Sequence, residues 1–274
     1  MTTSIFGSVV HRVEDPRFLT GGARYVDALR PEGALRASFV RSIIAHGRMS
    51  GIDVSEASRM PGVVAVLTAA DLGLKPMSPA GTVGPFERPL LASDVVRYVG
   101  EPVAVVIAES SAQAADAGEA VYVELDPLEP VVGVEAALAE GAPLLFPDAA
   151  TNVANEFEEA WDDDVLMGAD AVVRARVVHQ RLAPSPMETN GLVVEPTKDG
   201  LVAWVSTQIP FDVRDDLAEW LGLDRSAVRV VAPDVGGGFG AKLHVYPEYL
   251  VCTAAAVRLG RPVAWQETRS ESFV

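Results

Sequence analysis

The sequence predicts an α/β chain, mixed α+β, arranged as two successive units, and three observations carry that expectation. Short runs rich in Val, Ile and Leu alternate with Ala-rich segments of helical character along the chain. Residues are 49% apolar but only 7% aromatic, so Ala and Val supply most of the hydrophobicity, which suits sheet–helix packing better than a disulfide-stapled or disordered chain. A Pro-rich, acidic stretch over 131–164 interrupts the pattern where a linker between domains would fall.

Taken in order, residues 1 to about 33 are rich in Gly, Arg and Asp with little periodicity and read as extended; 1–18 is assigned as an N-terminal arm and 19–130 as the first domain. Leu35 to Arg41 alternates apolar and polar side chains, as a half-buried strand does. Ser55 to Met60 reads as a short capped helix stopped by Pro61-Gly62, Val63 to Leu67 as a strand, and Thr68 to Leu72 as another helical turn. Lys75 to Pro89 is loop. Val95 to Val99 and Pro102 to Ala108 are strands broken at Gly100, Ser110 to Ala120 is a Ser-capped helix, and Val121 to Leu125 a strand.

The linker contains a short helix, Val134 to Ala139, and an acidic cluster of Glu158, Glu159 and Asp162 to Asp164 that reads as a solvated surface. The cluster lacks the alternating ligands and central Gly of a calcium loop. The second domain, 165–274, opens with expected strands at Val172 to Gln180, Leu192 to Glu195 and Leu201 to Val205. Apolar residues at 213, 217, 220 and 221 give Phe211 to Leu221 a helical face. Val228 to Val231 is a strand, Tyr249 to Leu259 a helix ended by Gly260, and Val263 to Trp265 a strand. The sequence stops at Val274 after a charged segment with no closing element, which reads as the interruption of a longer chain.

Composition excludes several function classes. A net charge of −16 argues against a nucleic-acid groove, because neutralising phosphates needs a surplus of Lys and Arg. The single cysteine, Cys252, lies in an apolar run and reads as a small buried hydrophobe; alone it can neither form an internal disulfide nor ligate an iron–sulfur cluster or zinc. The N-terminus lacks the basic and apolar regions of a secretory signal, and no apolar run approaches membrane-spanning length, so a cytoplasmic location is expected.

The strongest local signal is Gly236-Gly237-Gly238-Phe239-Gly240-Ala241-Lys242. Consecutive glycines free the backbone for close approach and positive φ, exposing N–H groups to one ligand; a tight turn without a ligand is the alternative. The loop fails the P-loop pattern, because Ala241 precedes Lys242 and Leu243 follows it. Gly236-x-Gly238-x-x-Ala241 fits the dinucleotide fingerprint in relaxed form, with Glu267 ending the next strand. That match is weak, because Pro247 places the helix start six residues beyond Ala241.

Wider context is more specific. Thr207-Gln208, a helix, a strand and then the glycine loop with Lys242 resemble the molybdenum-cofactor (large) subunit of the xanthine dehydrogenase/aldehyde oxidase/carbon monoxide dehydrogenase family, in its N-terminal part. Arg17 to Asp27, Phe39-Val40-Arg41-Ser42 with Ala45-His46, Met60 to Leu72, Val99 to Ala104 and Pro186-Met187-Glu188 are similar to further segments of that family, in the same order. The resemblance implies an aldehyde oxidase/xanthine dehydrogenase a/b hammerhead domain followed by the beginning of a molybdenum-cofactor-binding domain. It implies the molybdenum cofactor, a molybdopterin with the cytosine-dinucleotide form left open, and iron–sulfur clusters and FAD on partner subunits. The implied activity is a molybdenum hydroxylase-type oxidation of an aldehyde, heteroaromatic or related small substrate by transfer of a metal-bound oxygen.

The resemblance also implies residue roles. Gln208 would hydrogen-bond a molybdenum oxo ligand without binding the metal itself, a task its amide performs without adding charge. Gly237, Gly238, Phe239 and Gly240 would cradle the cofactor, and Leu243 would line the substrate pocket. No catalytic residue is expected in this chain, since the family's glutamate base lies beyond residue 274. Leu243 stands where xanthine-type members carry a substrate-binding Glu, which disfavours a purine. Ile43-Ile44 departs from the commoner Pro-His at a structural site. His46 and His244 read as structural. Two other readings remain at this point, an incomplete scaffold subunit of such a complex and a nicotinamide-binding dehydrogenase using the glycine loop.

Overall fold

A computed structural model describes residues 6–78, 85–159 and 166–274. Its ten strands are β1 (Leu35–Arg41), β2 (Gly47–Asp53), β3 (Val63–Thr68), β4 (Val95–Val96), β5 (Pro102–Ala108), β6 (Tyr122–Pro127), β7 (Gly191–Thr197), β8 (Gly200–Val205), β9 (Val228–Val231) and β10 (Val263–Gln266). The helices are α1 (Asp15–Leu19), α2 (Ala69–Leu72), α3 (Ser111–Glu119), α4 (Val134–Ala137), α5 (Pro210–Leu221) and α6 (Pro247–Leu259). The mixed α/β expectation is met.

One seven-stranded sheet, in the order β3-β5-β1-β10-β7-β8-β9, takes strands from both sides of the 131–164 stretch, and a three-stranded sheet, β4-β2-β6, lies beside it. The join is the parallel pairing of β1 with β10, Leu35 opposite Val263 and Arg36 opposite Ala264. β8 and β9 also pair in parallel, with α5 as their crossover.

β5 shows why the sequence makes a buried strand. Every residue of Pro102–Ala108 is buried. Val105 and Ile107 face the main core with α6, while Val106 and Ala108 pack on Ala114 and Ala117 of α3. A strand covered on both faces reads as an unbroken apolar run. The helix α6 starts with Pro247 at its first position and ends at Gly260 in the left-handed conformation, φ 61°, so its bounds follow from local chemistry. Its residues Pro247 to Ala256 are all buried, the small Ala254-Ala255-Ala256 stretch allowing close approach to the sheet. Phe39 of β1, Trp265 of β10 and Tyr249 of α6 meet edge to face at 5.7 and 6.1 Å across the join.

Several local expectations need correction. Val172 to Gln180 forms no strand: among the described residues it has no ladder partner, and Val173, Val177 and Val178 are exposed, so its β-branched residues lack a surface to pack on. Val95 to Val99 shrinks to two residues, because only Val95 and Val96 find partners on β2. The first 33 residues are not wholly extended, since they contain α1 and a 3₁₀ turn at Val26–Ala28 whose Val26 is buried against Val193 and Ala264. Ser55 to Met60 tightens to a 3₁₀ turn at Ala57–Arg59. Of the acidic cluster, Asp162 to Asp164 lies outside the described residues.

Cys252 is fully buried on α6, and burial pushes its thiol well above the ordinary cysteine range. Alkylation of the native protein by iodoacetamide at pH 8 should therefore leave Cys252 unmodified, with full labelling appearing only in denaturant. Rapid labelling of the native state, read by mass spectrometry, would place this helix face elsewhere.

Candidate cofactor cradle at the sheet edge

The glycine loop leaves β9 at the carboxyl end of the parallel β8–β9 pair, where α/β sheets place their ligand sites. Glu188 precedes β7, Ser206 to Gln208 follow β8 and Glu267 follows β10, and the ladder pairings Leu192–Val205 and Gly191–Gln266 bring these ends together.

Gln208 and the loop meet directly. The Gly240 N–H donates to Gln208 Oε1 at 3.2 Å, and the Gln208 backbone N–H donates to the Lys242 carbonyl at 3.0 Å. A Cβ on Gly238 would lie 2.3 Å from Gln208 Oε1, so only glycine lets that side chain lie across the loop. The exposed amide nitrogen of Gln208 has no partner among the described residues. Gly237 and Gly240 hold φ of 97° and 91°, and Phe239, a non-glycine, sits at 51° with its ring over Gly237. The N–H groups of Gly237, Gly238 and Phe239 make no hydrogen bond among the described residues, leaving three successive donors free.

Not every expected residue converges. Phe239 is 76% exposed and Leu243 48% exposed. A cavity of about 330 Å³ beside the loop is lined by Asn190, Gly240, His244, Tyr246, Glu267 and Glu271, among others, and not by Leu243. His46 is buried, with its Nδ1 2.8 Å from the Glu129 carbonyl, far from this loop in sequence and role. Glu267 accepts from the Asn190 N–H at 3.1 Å and from the Ser272 hydroxyl at 2.8 Å.

Two charged residues that carried no assigned role from sequence are central here. Lys242 is fully buried and its ammonium lies 3.0 Å from Glu188 Oε2. Burial pushes this lysine below its ordinary range, opposed by the Glu188 carboxylate. The same Glu188 oxygen accepts from the Ser206 hydroxyl at 2.6 Å and the Gly236 N–H at 2.7 Å. A lone lysine closing a glycine loop that fails the P-loop pattern was the sequence signal available. Upstream, Arg17 grips Asp234 with both terminal nitrogens at 2.6 and 2.5 Å, and the Arg24 N–H adds a third bond, so the arm is tied to the loop; these bonds hold the Asp234 carboxyl below its usual range.

The geometry bears on the nucleotide reading. A dinucleotide fold needs the loop to open a helix that leads to a neighbouring parallel strand. Here α6 begins at Pro247, and the next strand, β10, pairs with β1 and β7, not with β9. No cluster of His, Cys, Asp and Glu able to hold a metal ion occurs among the described residues, and no helix there is long and apolar enough to cross a membrane.

Comparison with known proteins agrees with this arrangement. The family profile of the aldehyde oxidase and xanthine dehydrogenase a/b hammerhead domain matches residues 20–129, and that of the molybdopterin cofactor-binding domain matches residues 145–274. The chain is 41% identical to the nicotine 6-hydroxylase large subunit of Paenarthrobacter nicotinovorans, over 100% of this chain and 35% of the relative. It is 37% identical to the carbon monoxide dehydrogenase large chain of Hydrogenophaga pseudoflava, over 95% of this chain and 34% of the relative. Among solved structures, quinoline 2-oxidoreductase from Pseudomonas putida 86 superposes with a TM-score of 0.89 at 39% identity, over 98% of this chain and 35% of that chain. The chain thus spans about a third of the length of these relatives. With both domain profiles in sequence order and relatives matched along nearly all its residues, the chain belongs to the aldehyde oxidase/xanthine dehydrogenase family of molybdopterin-binding subunits.

Proposed function

We propose that this chain is the cofactor-cradling part of a molybdenum hydroxylase that oxidises a small N-heteroaromatic or aldehyde substrate, working with iron–sulfur and flavin partner subunits. The observation that carries the reading is the unpartnered Gln208 amide beside three free loop N–H groups. These are neutral donors, suited to a polar, electron-rich group, and they fit a molybdopterin better than a bare cation. When bound, that cofactor supplies the oxygen-transfer and two-electron chemistry that no side chain here can provide.

This chain's own residues bind and orient. Gln208 would donate from its amide to the cofactor while its carbonyl oxygen stays engaged by Gly240. Gly237 and Gly238 would let the backbone approach closely, and Phe239 would face the cofactor or substrate from the loop's exposed side. With Leu243 in place of a carboxylate, no charged anchor for a purine is offered at that position. The nicotine- and quinoline-oxidising relatives support an N-heteroaromatic over a purine. A relative named as a subunit of a dehydrogenase complex supports the partner subunits. A cytoplasmic setting belongs to the same reading. We place the domain boundary within 131–164, with the first domain over 19–130 and the second from 165.

The test is metal and pterin analysis of the purified assembly, followed by steady-state oxidation of N-heteroaromatics, aldehydes and xanthine. The expected result is molybdenum near stoichiometric and a preference for the first two substrate classes. Absence of molybdenum would favour the scaffold reading, and efficient xanthine turnover would remove the substrate assignment.

A further inference from the structure

We propose that Glu188 and Lys242 form a buried positioning pair that clamps both ends of the glycine loop and thereby sets where Gln208 presents its amide. The inference rests on the function proposed above and adds how its cradle is held.

One carboxylate oxygen, Glu188 Oε2, receives the N–H of Gly236 at 2.7 Å and the ammonium of Lys242 at 3.0 Å, so it binds the first and last residues of the 236–242 loop. The Glu188 backbone N–H returns a bond to the Gly236 carbonyl at 3.2 Å, and a Cβ on Gly236 would lie 2.5 Å from Glu188 Cβ, so the two segments are in close contact. Lys242 continues the connection through its main chain. Its carbonyl accepts from the Gln208 N–H at 3.0 Å and from the Thr207 hydroxyl at 3.3 Å. Ser206, just before them, donates to the same Glu188 oxygen at 2.6 Å. Between the clamped ends, the N–H groups of residues 237 to 239 have no hydrogen-bond partner among the described residues.

The arrangement is costly as mere packing. Lys242 is fully buried, and an ammonium in such a place is retained only with a counter-charge, here the Glu188 carboxylate at 3.0 Å. An apolar residue would fill the volume, but it would leave the loop's end untied from Gly236. Neither side chain hydrogen-bonds the N–H groups of residues 237 to 239, so both act through the backbone they fix; they are positioning residues.

The test uses the protein purified in its native assembly, with Lys242→Met, Glu188→Gln and the double variant. Three readouts are taken: hydrogen exchange at Gly240, turnover per bound metal and the thermal midpoint. Lys242→Met removes no partner from the Gly240 N–H, yet its exchange should rise about tenfold as Gln208 loosens. In the same variant kcat per bound molybdenum should fall about tenfold or more, with KM within about threefold. The double variant removes both buried charges and should recover most of the thermal midpoint lost by Glu188→Gln, while Gly240 exchange and kcat stay at the Lys242→Met level. If the double variant regains turnover along with stability, or if Lys242→Met leaves both Gly240 exchange and kcat at wild-type values, the positioning role is overturned. Should the wild-type assembly hold no molybdenum, the proposed function fails, while Gly240 exchange still decides the clamp.

Discussion

Arg41→Ala should destabilise the fold by about 3–5 kcal/mol, the cost of stranding a buried charge by removing its partner. Arg41 ends β1, and its guanidinium donates to Glu248 at the start of α6, to Glu271 near Val274 and to the Gly100 carbonyl, at 2.8, 2.8 and 3.1 Å. The Glu248 side chain is only 7% exposed, and its second oxygen has no hydrogen-bond partner among the described residues. Without Arg41 that carboxylate loses its nearest counter-charge in a nearly dry site, which costs folding energy. Surface ion pairs of the same chemistry, such as Lys198–Asp199, are worth far less because water screens both partners. Urea unfolding should show a lower midpoint with an unchanged slope. A loss below about 1 kcal/mol would mean that water or rearrangement satisfies Glu248 and that this cluster does not fasten the two halves of the main sheet.

Gln208→Glu should lower turnover about tenfold to a hundredfold at near-normal molybdenum content. Glutamate keeps the size and can still accept from the Gly240 N–H, but the free amide donor is replaced by an acceptor. One hydrogen bond to a charged or strongly polar group contributes about 1.5–3 kcal/mol, which gives that range if the bond acts in the transition state. Gly238→Ala supplies an independent route to the same defect. The three atoms nearest its new Cβ all belong to the flexible Gln208 side chain, so that side chain should swing aside at a stability cost under about 1 kcal/mol. Combined, the two changes should cost little more than either alone, because both remove one interaction. Wild-type turnover in Gln208→Glu would place that amide away from the chemistry.

Local structure was legible in the sequence where one residue type answers one local demand. Pro247 and Gly260 delimit α6, Ser110 caps α3 by accepting from the Gln113 N–H, and the apolar run of Pro102 to Ala108 becomes a strand buried on both faces. The glycine loop announced itself, since two positive-φ positions, at 237 and 240, are occupied by glycine, whereas the positive φ of Phe239 carried no sequence signal. The same reasoning failed at Val172 to Gln180, because strand propensity measures fit to a neighbouring strand and none is present there among the described residues.

Tertiary structure alone decided which elements meet. Nothing in the periodicity of Leu35 to Arg41 selects Val263 as the parallel partner of Leu35, 228 residues away, because the period specifies which face is buried and not what buries it. The choice follows from α6, whose buried stretch from Leu250 to Ala256, apolar but for a Thr253 hydroxyl bonded back to the Tyr249 carbonyl, needs a sheet wide enough to cover it from β5 to β7. Charged partners are fixed in the same way. Glu188 and Lys242 are 54 residues apart, and Arg41 and Glu248 are 207 apart, so each pair reads as ordinary surface charge until the sheet removes it from water. Once buried, each charge is held in place by its partner, because low dielectric makes separation expensive over the short distances that only the folded chain creates.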